Sequence, residues 1–187
     1  MPYLIFKIAT SLDLVYTGGR ITTHEQAIQD VHQERDRVQC MMTTTKTFNT
    51  DHPRLTVRLR SSSSSTSMIE RVLPIVVVGD EELYEQREHV LHVPRQTDFC
   101  ELLKQLGQLY FTVYVEGGNI FYQQIFTHIH ELHHYVEHTL LNLDNSNTSV
   151  FQFNPKQQSF QLISIEQIAP YTTKSVYVQK HNLNILK

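Results

Sequence analysis

The 187-residue sequence has only two cysteines, Cys40 and Cys100, and no CxxC pair. There is no cysteine spacing for a disulfide framework, and both thiols are expected to be reduced and buried in a cytoplasmic protein. It also lacks an excess of either charge. Sixteen Lys and Arg face nineteen Asp and Glu, a net charge of −3, without the basic surplus a nucleic-acid binder normally shows. Long apolar runs are missing too; Leu73 to Val78 is among the longest and far too short to span a bilayer. The opening Met1-Pro-Tyr-Leu-Ile-Phe-Lys7 has no basic flank or cleavage site, and it is expected to begin the fold as a strand. Glycine is sparse, at six residues, and no internal repeat is visible.

What is present suits one domain over 1–187. Apolar residues make up 40 % of the chain, enough to fill one core. Residues 3–10 read as a buried strand. Thr23-His24-Glu25-Gln26 forms a capping box that opens a helix over 24–37. Val38 to Met42 is expected to be a strand, Thr43 to Phe48 a turn, and Leu55 to Leu59 a further short strand. The run 61–67, SSSSSTS, reads as a low-complexity linker loop. After it, 73–79 (LPIVVVG) has the continuous apolar character of a central parallel strand. A short helix or turn is expected over 81–86, strands at 90–93 and 111–115, and helices at 98–106 and 120–128. The segments 132–141, 149–154, 158–166 and 174–180 alternate as antiparallel strands do. Strand–helix alternation followed by such strands predicts an α/β fold: a mostly parallel mixed sheet flanked by helices, ending in antiparallel strands.

Three groups of residues could carry chemistry. His130-Glu131-Leu132-His133-His134 satisfies the H-E-x-x-H pattern of zinc proteases, which requires a helix. Here the surrounding residues favour a strand, where positions four apart lie about 13 Å from one another, so no metal site is expected. Glu116-Gly117-Gly118-Asn119 sits between a strand and a helix. There, glycine permits close approach of a ligand and the helix start favours an anion. Arg35, Arg54 and Arg58 are planar guanidinium forks suited to phosphate, with surface ion pairs as the competing explanation.

Taken together, the motifs resemble the reductase domain of the bifunctional riboflavin deaminase–reductase. Ala9-Thr-Ser-Leu-Asp13 is similar to its A-x-S-L-D-G opening. Ile21-Thr-Thr23, Asp30-Val31 and Arg35 resemble its first helix entry. Thr47, Asp51 and Pro53-Arg-Leu-Thr-Val-Arg58 look like its T-V-x-x-D-D-P-x-L-T-V-R, and Tyr114-Val-Glu-Gly-Gly118 its V-E-G-G turn. The order holds over nearly the whole chain.

That resemblance implies a dihydrofolate-reductase-like fold, a cytoplasmic homodimer, and reduction of 5-amino-6-(5-phosphoribosylamino)uracil to its ribityl form with NADPH. By position it assigns Lys7, Arg35, Leu55, Arg58 and Glu116 to the phosphorylated pyrimidine. Thr47, Asp51, Gly117, Gly118, Asn119 and Ile120 fall to the cofactor. The hydride would go to C1′ of a ring-opened imine. The chain departs from the family pattern at Leu14, Gly18, Arg20, Lys46 and His52, and the stretch between Arg58 and Glu116 is short. These departures motivate a second expectation: a reductase fold without catalysis, serving as a binding or assembly subunit.

Overall fold

The architecture follows from where apolar runs meet capping residues. A computed structural model of the chain describes residues 1–12, 14–16, 24–60, 68–95, 98–138, 149–150 and 159–180. The Thr23 cap, the glycines at 18 and 19, Arg20 and the serine run lie outside the described residues. Along the chain come β1 (Tyr3–Ser11), β2 (Val15–Tyr16), α1 (Glu25–Asp36), β3 (Cys40–Thr44), α2 (Thr45–Asp51), β4 (Val57–Arg60) and β5 (Met68–Arg71). There follow β6 (Ile75–Val78), β7 (Val90–Val93), α3 (Phe99–Leu109), β8 (Thr112–Glu116) and α4 (Asn119–Ile125), the last running into a 3-10 turn at Phe126–His128. The chain ends in β9 (Glu131–Glu137), β10 (Ser149–Val150), β11 (Phe160–Ala169) and β12 (Thr172–Gln179). Two compact units divide it: residues 1–3 with 28–116, and residues 4–27 with 117–187.

The first unit is built on parallel strands in the order β8-β3-β6-β7. All four residues of β6 are buried, as its uninterrupted Ile-Val-Val-Val requires. Asp98 caps α3 by accepting from the Cys100 N–H at 2.8 Å, and the helix buries Leu102, Leu103 and Leu106. β3 runs on through Thr44, and the stretch expected as a turn is α2. Thr44 caps this helix, and its buried Phe48 and Asn49 anchor it. No helix forms over 81–86. There Asn49 takes the place of local backbone bonds, donating to the Glu82 carbonyl and accepting from the Tyr84 N–H. β5 was not anticipated. It pairs antiparallel with β4, Val57 opposite Arg71 and Arg60 opposite Met68, so the serine run joins the arms of a hairpin.

The second unit pairs β1 parallel with β9, then adds β12 and β11 antiparallel. Phe6 and Tyr122 meet edge to face at 5.3 Å between ring centres. Apart from the two-stranded pairs β4–β5 and β2–β10, the parallel pairs outnumber the antiparallel ones, and the C-terminal strands run antiparallel, as expected from the alternating pattern. Among the described residues, no helix is long and apolar enough to cross a membrane.

The two thiols differ. Cys40 is buried, and desolvation pushes its pKa up to about 12. Cys100 is exposed in the first turn of α3, contrary to the expectation that both are buried, because it lies beside the cap rather than on the apolar stripe. A thiol reagent is expected to modify Cys100 in the folded protein and Cys40 only after unfolding. Equal labelling rates, followed by peptide mass mapping, would contradict this burial.

A second consequence concerns acid. His134 is buried against Thr10, 2.9 Å from its hydroxyl, and burial lowers its pKa from 6.5 to about 4. Between those values the unfolded chain binds the proton and the folded one does not. Stability is thus full above about pH 6.5 and falls as pH drops toward 4, by roughly 3 kcal/mol from this residue. Denaturant melts across that range should show the decline, and His134→Gln should flatten it; equal slopes for both proteins would count against it.

Candidate functional site

Within the first unit, the end of α1, the segment before β4 and the end of β8 converge. Arg35 lies in the last turn of α1 and Glu116 closes β8. The guanidinium grips the carboxylate with both arms, Nε to Oε1 at 2.7 Å and Nη2 to Oε2 at 3.0 Å. Only 12 % and 15 % of the two side chains is exposed, so the pair is partly desolvated and geometrically fixed. Arg35 also donates through Nη1 to the Thr56 carbonyl at 3.3 Å. Two of the expected substrate residues, 81 positions apart, are therefore bonded to each other.

Arg58 differs. It sits half-buried on β4, its Nε is buried without a hydrogen-bond partner, and among the described residues no carboxylate forms an ion pair with it. A cation placed so is prepared for an anion from outside the chain. Leu55, three residues earlier, is buried and holds φ at +51°. This left-handed geometry is uncommon for a leucine and persists only where the surroundings enforce it. His32 stands behind this segment. It is buried, and its Nδ1 accepts from the Arg58 N–H at 3.3 Å. Its pKa is lowered to about 4 by burial, then by Arg35 and Arg58, against the opposing effects of Thr56 and Glu116. Nothing in the sequence singled out His32 among eleven histidines; its spacing of three from Arg35 on one helical face was the available signal.

The expected cofactor residues divide between the units. In the first, Thr47 occupies the opening turn of α2. Its N–H and its hydroxyl oxygen both bond the Thr44 hydroxyl, at 3.2 and 3.0 Å. Thr47 accepts there, so its own hydroxyl proton remains free to donate. Asp51 ends the helix and is exposed, as is Lys46. In the second unit, Gly117 and Gly118 precede α4. A Cβ at Gly117 would lie 2.8 Å from the Phe121 ring, so its missing side chain serves local packing. Gly118 caps α4 and supplies no side-chain cap bond. Asn119 and Ile120 open the helix, Ile120 exposed. Lys7 lies on β1, its ammonium 5.7 Å from the centre of the Tyr135 ring.

The H-E-x-x-H segment forms a bend and a strand. His130 precedes β9, and its Nδ1 accepts from the Leu4 N–H at 3.1 Å. Within β9, His133 and His134 point to opposite faces, His133 toward the Glu131 carboxylate and His134 toward Thr10. The helical geometry of a zinc protease is not formed.

The mostly parallel sheet with antiparallel C-terminal strands is an α/β fold of the dihydrofolate-reductase type. Within it, the family model for the RibD C-terminal domain matches residues 2–173, and the chain belongs to that family. Solved structures agree on the fold. RibD from Acinetobacter baumannii superposes with a TM-score of 0.71 at 21% identity, over 95% of this chain and 58% of that one. The riboflavin biosynthesis reductase of Saccharomyces cerevisiae gives a TM-score of 0.63 at 16% identity, over 95% and 89%. Dihydrofolate reductase from Enterococcus faecalis, solved with NADP(H), gives 0.62 at 12% identity, over 95% and 96%. The chain thus spans somewhat over half the length of the bacterial RibD proteins it resembles. No curated protein sequence matches it.

Proposed function

We propose that the chain is a single-domain reductase that converts 5-amino-6-(5-phosphoribosylamino)uracil to its ribityl form with NADPH. The observation that carries this reading is Arg58, whose Nε is buried without a hydrogen-bond partner and which forms no ion pair among the described residues, on the segment that Arg35 holds, in a member of the RibD C-terminal family. Arg58 takes the substrate phosphate. Arg35, Glu116 and Leu55 form the wall against which the substrate rests, and Lys7 is a further substrate contact. Thr47 and Asp51 hold the cofactor, as do Gly117, Gly118, Asn119 and Ile120. NADPH, when bound, supplies the hydride. The chain's part is to bind, orient and exclude water. Mixing the protein with NADPH and the pyrimidine should consume NADPH in step with ribityl product. No consumption at millimolar NADPH would reject the reading.

The protein is further proposed to act as a cytoplasmic homodimer. Supporting the dimer is β11, which among the described residues pairs only with β12 and exposes Leu162, Ile163 and Ile165; an apolar edge strand of ten residues favours association. Light scattering at micromolar protein tests it. A second reading, a non-catalytic binding or assembly subunit, is favoured by one observation. Glu116 already occupies Arg35, so of the two arginines assigned to the substrate only Arg58 forms no ion pair among the described residues. Measurable turnover that Arg58→Ala abolishes would exclude it.

A further inference from the structure

We propose that His32 is a positioning residue for Arg58, fixing the backbone from Thr56 to Arg58 against α1 so that the Arg58 guanidinium is presented to an anion. The proposal rests on the reading of Arg58 as an anion contact. α1 grips this segment at two points. Arg35 holds the Thr56 carbonyl through Nη1. One turn earlier on the same face, His32 accepts the Arg58 N–H. Between them, these contacts fix both ends of a three-residue stretch that begins beside the left-handed Leu55. Thr56 is fastened on a third side, where its hydroxyl donates to Glu70 at 3.0 Å. The backbone that carries Arg58 is thereby set before any ligand arrives, which lowers the ordering cost of binding.

This arrangement requires the neutral ring. Nδ1 can accept from Arg58 only when it carries no proton. The charged groups facing His32 are Arg35 on its own helix, Arg58 on β4 and Glu116 on β8. Two of the three are cations, so a proton on His32 would bring a third positive charge to the cluster and turn the acceptor into a donor facing a donor. Because the Arg58 backbone is held only by the neutral ring, anion binding and His32 protonation oppose each other: a bound anion should make the ring harder to protonate.

The test uses inorganic sulfate, which stays a dianion across the range where His32 titrates. The His32 ring resonance of the whole protein is followed by NMR against pH, with and without saturating sulfate. The expected result is a downward move of its midpoint by roughly half a unit or more. In parallel, His32→Leu should weaken sulfate binding, and raise KM for the phosphorylated pyrimidine, by about tenfold with kcat little changed. His32→Asn, whose amide oxygen can occupy the place of Nδ1, should restore most of the loss. If sulfate binds and Arg58→Ala abolishes it, yet the His32 midpoint stays fixed or rises, the positioning role is overturned while the anion site stands. If sulfate does not bind at all, the reading of Arg58 fails and this proposal with it. The titration uses the unsubstituted protein, so a variant that fails to fold does not spare the idea.

Discussion

Replacing Arg58 with alanine is expected to lower kcat/KM for the phosphorylated pyrimidine by about 10²–10³-fold, with little change in stability. The size follows from losing a charged fork: each hydrogen bond to a charged group contributes about 1.5–3 kcal/mol, and a guanidinium can place two on one phosphate. The stability half follows from the same observation that nominates the residue. Arg58 is paired with no carboxylate among the described residues, and its Nε is buried and unsatisfied. Its removal therefore strands no opposite charge and relieves a desolvated donor. Arg58→Lys should recover only part of the loss, because an ammonium keeps the charge and not the planar fork.

The contrast with Arg35 makes the test discriminating. Arg35→Ala strips the fork from a Glu116 carboxylate that is only 15 % exposed. It should cost about 2–3 kcal/mol of stability as well as activity, since breaking one side of a largely buried pair leaves a charge poorly compensated. Steady-state kinetics beside denaturant melts separate the two. A kcat/KM for Arg58→Ala within threefold of the parent would remove Arg58 from the site.

The largest structural effect is expected at Gly79, where β6 ends against the start of α2. A Cβ there would lie 2.1 Å from the Thr45 hydroxyl oxygen, with the rest of that side chain within 2.9 Å, and the residue holds φ at +154°. Thr45 cannot swing clear. It is buried, β-branched and the first residue of its helix. Gly79→Ala thus combines overpacking with a backbone geometry that alanine resists, and about 3–5 kcal/mol of destabilisation is expected. Thr45→Ala in the same chain should return part of it by removing the two nearest contacts, while the backbone strain remains. A melt of Gly79→Ala within 1 kcal/mol of the parent would show that the close approach is not real, on the general scale of such substitutions.

Much of this fold could be read from the chain because its strands bury continuous apolar runs. β6 and β7 fell where Ile-Val-Val-Val and Val-Leu-His-Val placed them, and Asp98 announced α3. α2 was hidden because Thr, Asn and Asp dominate it, residues that favour turns by local propensity. Its helix rests instead on the Thr44 cap and on burial of Phe48, a tertiary effect. β5 was hidden because four residues beside a serine run carry too little alternation to register. At the site, motif order nominated Arg35, Arg58 and Glu116. It could not say that Arg35 and Glu116 hold each other while Arg58 stays open. That distinction depends on which side chains meet across 81 residues of chain, and local pattern does not encode it.

The β4–β5 hairpin has a use beyond its place in the fold. Pairing of Arg60 with Met68 fixes both ends of the connection, so its length is set apart from the register that aims Arg58. Closing a longer connection costs little, about 0.6 kcal/mol for each doubling. An insertion between Arg60 and Met68 would therefore leave the strand that carries Arg58 to be set by its own pairing with β5.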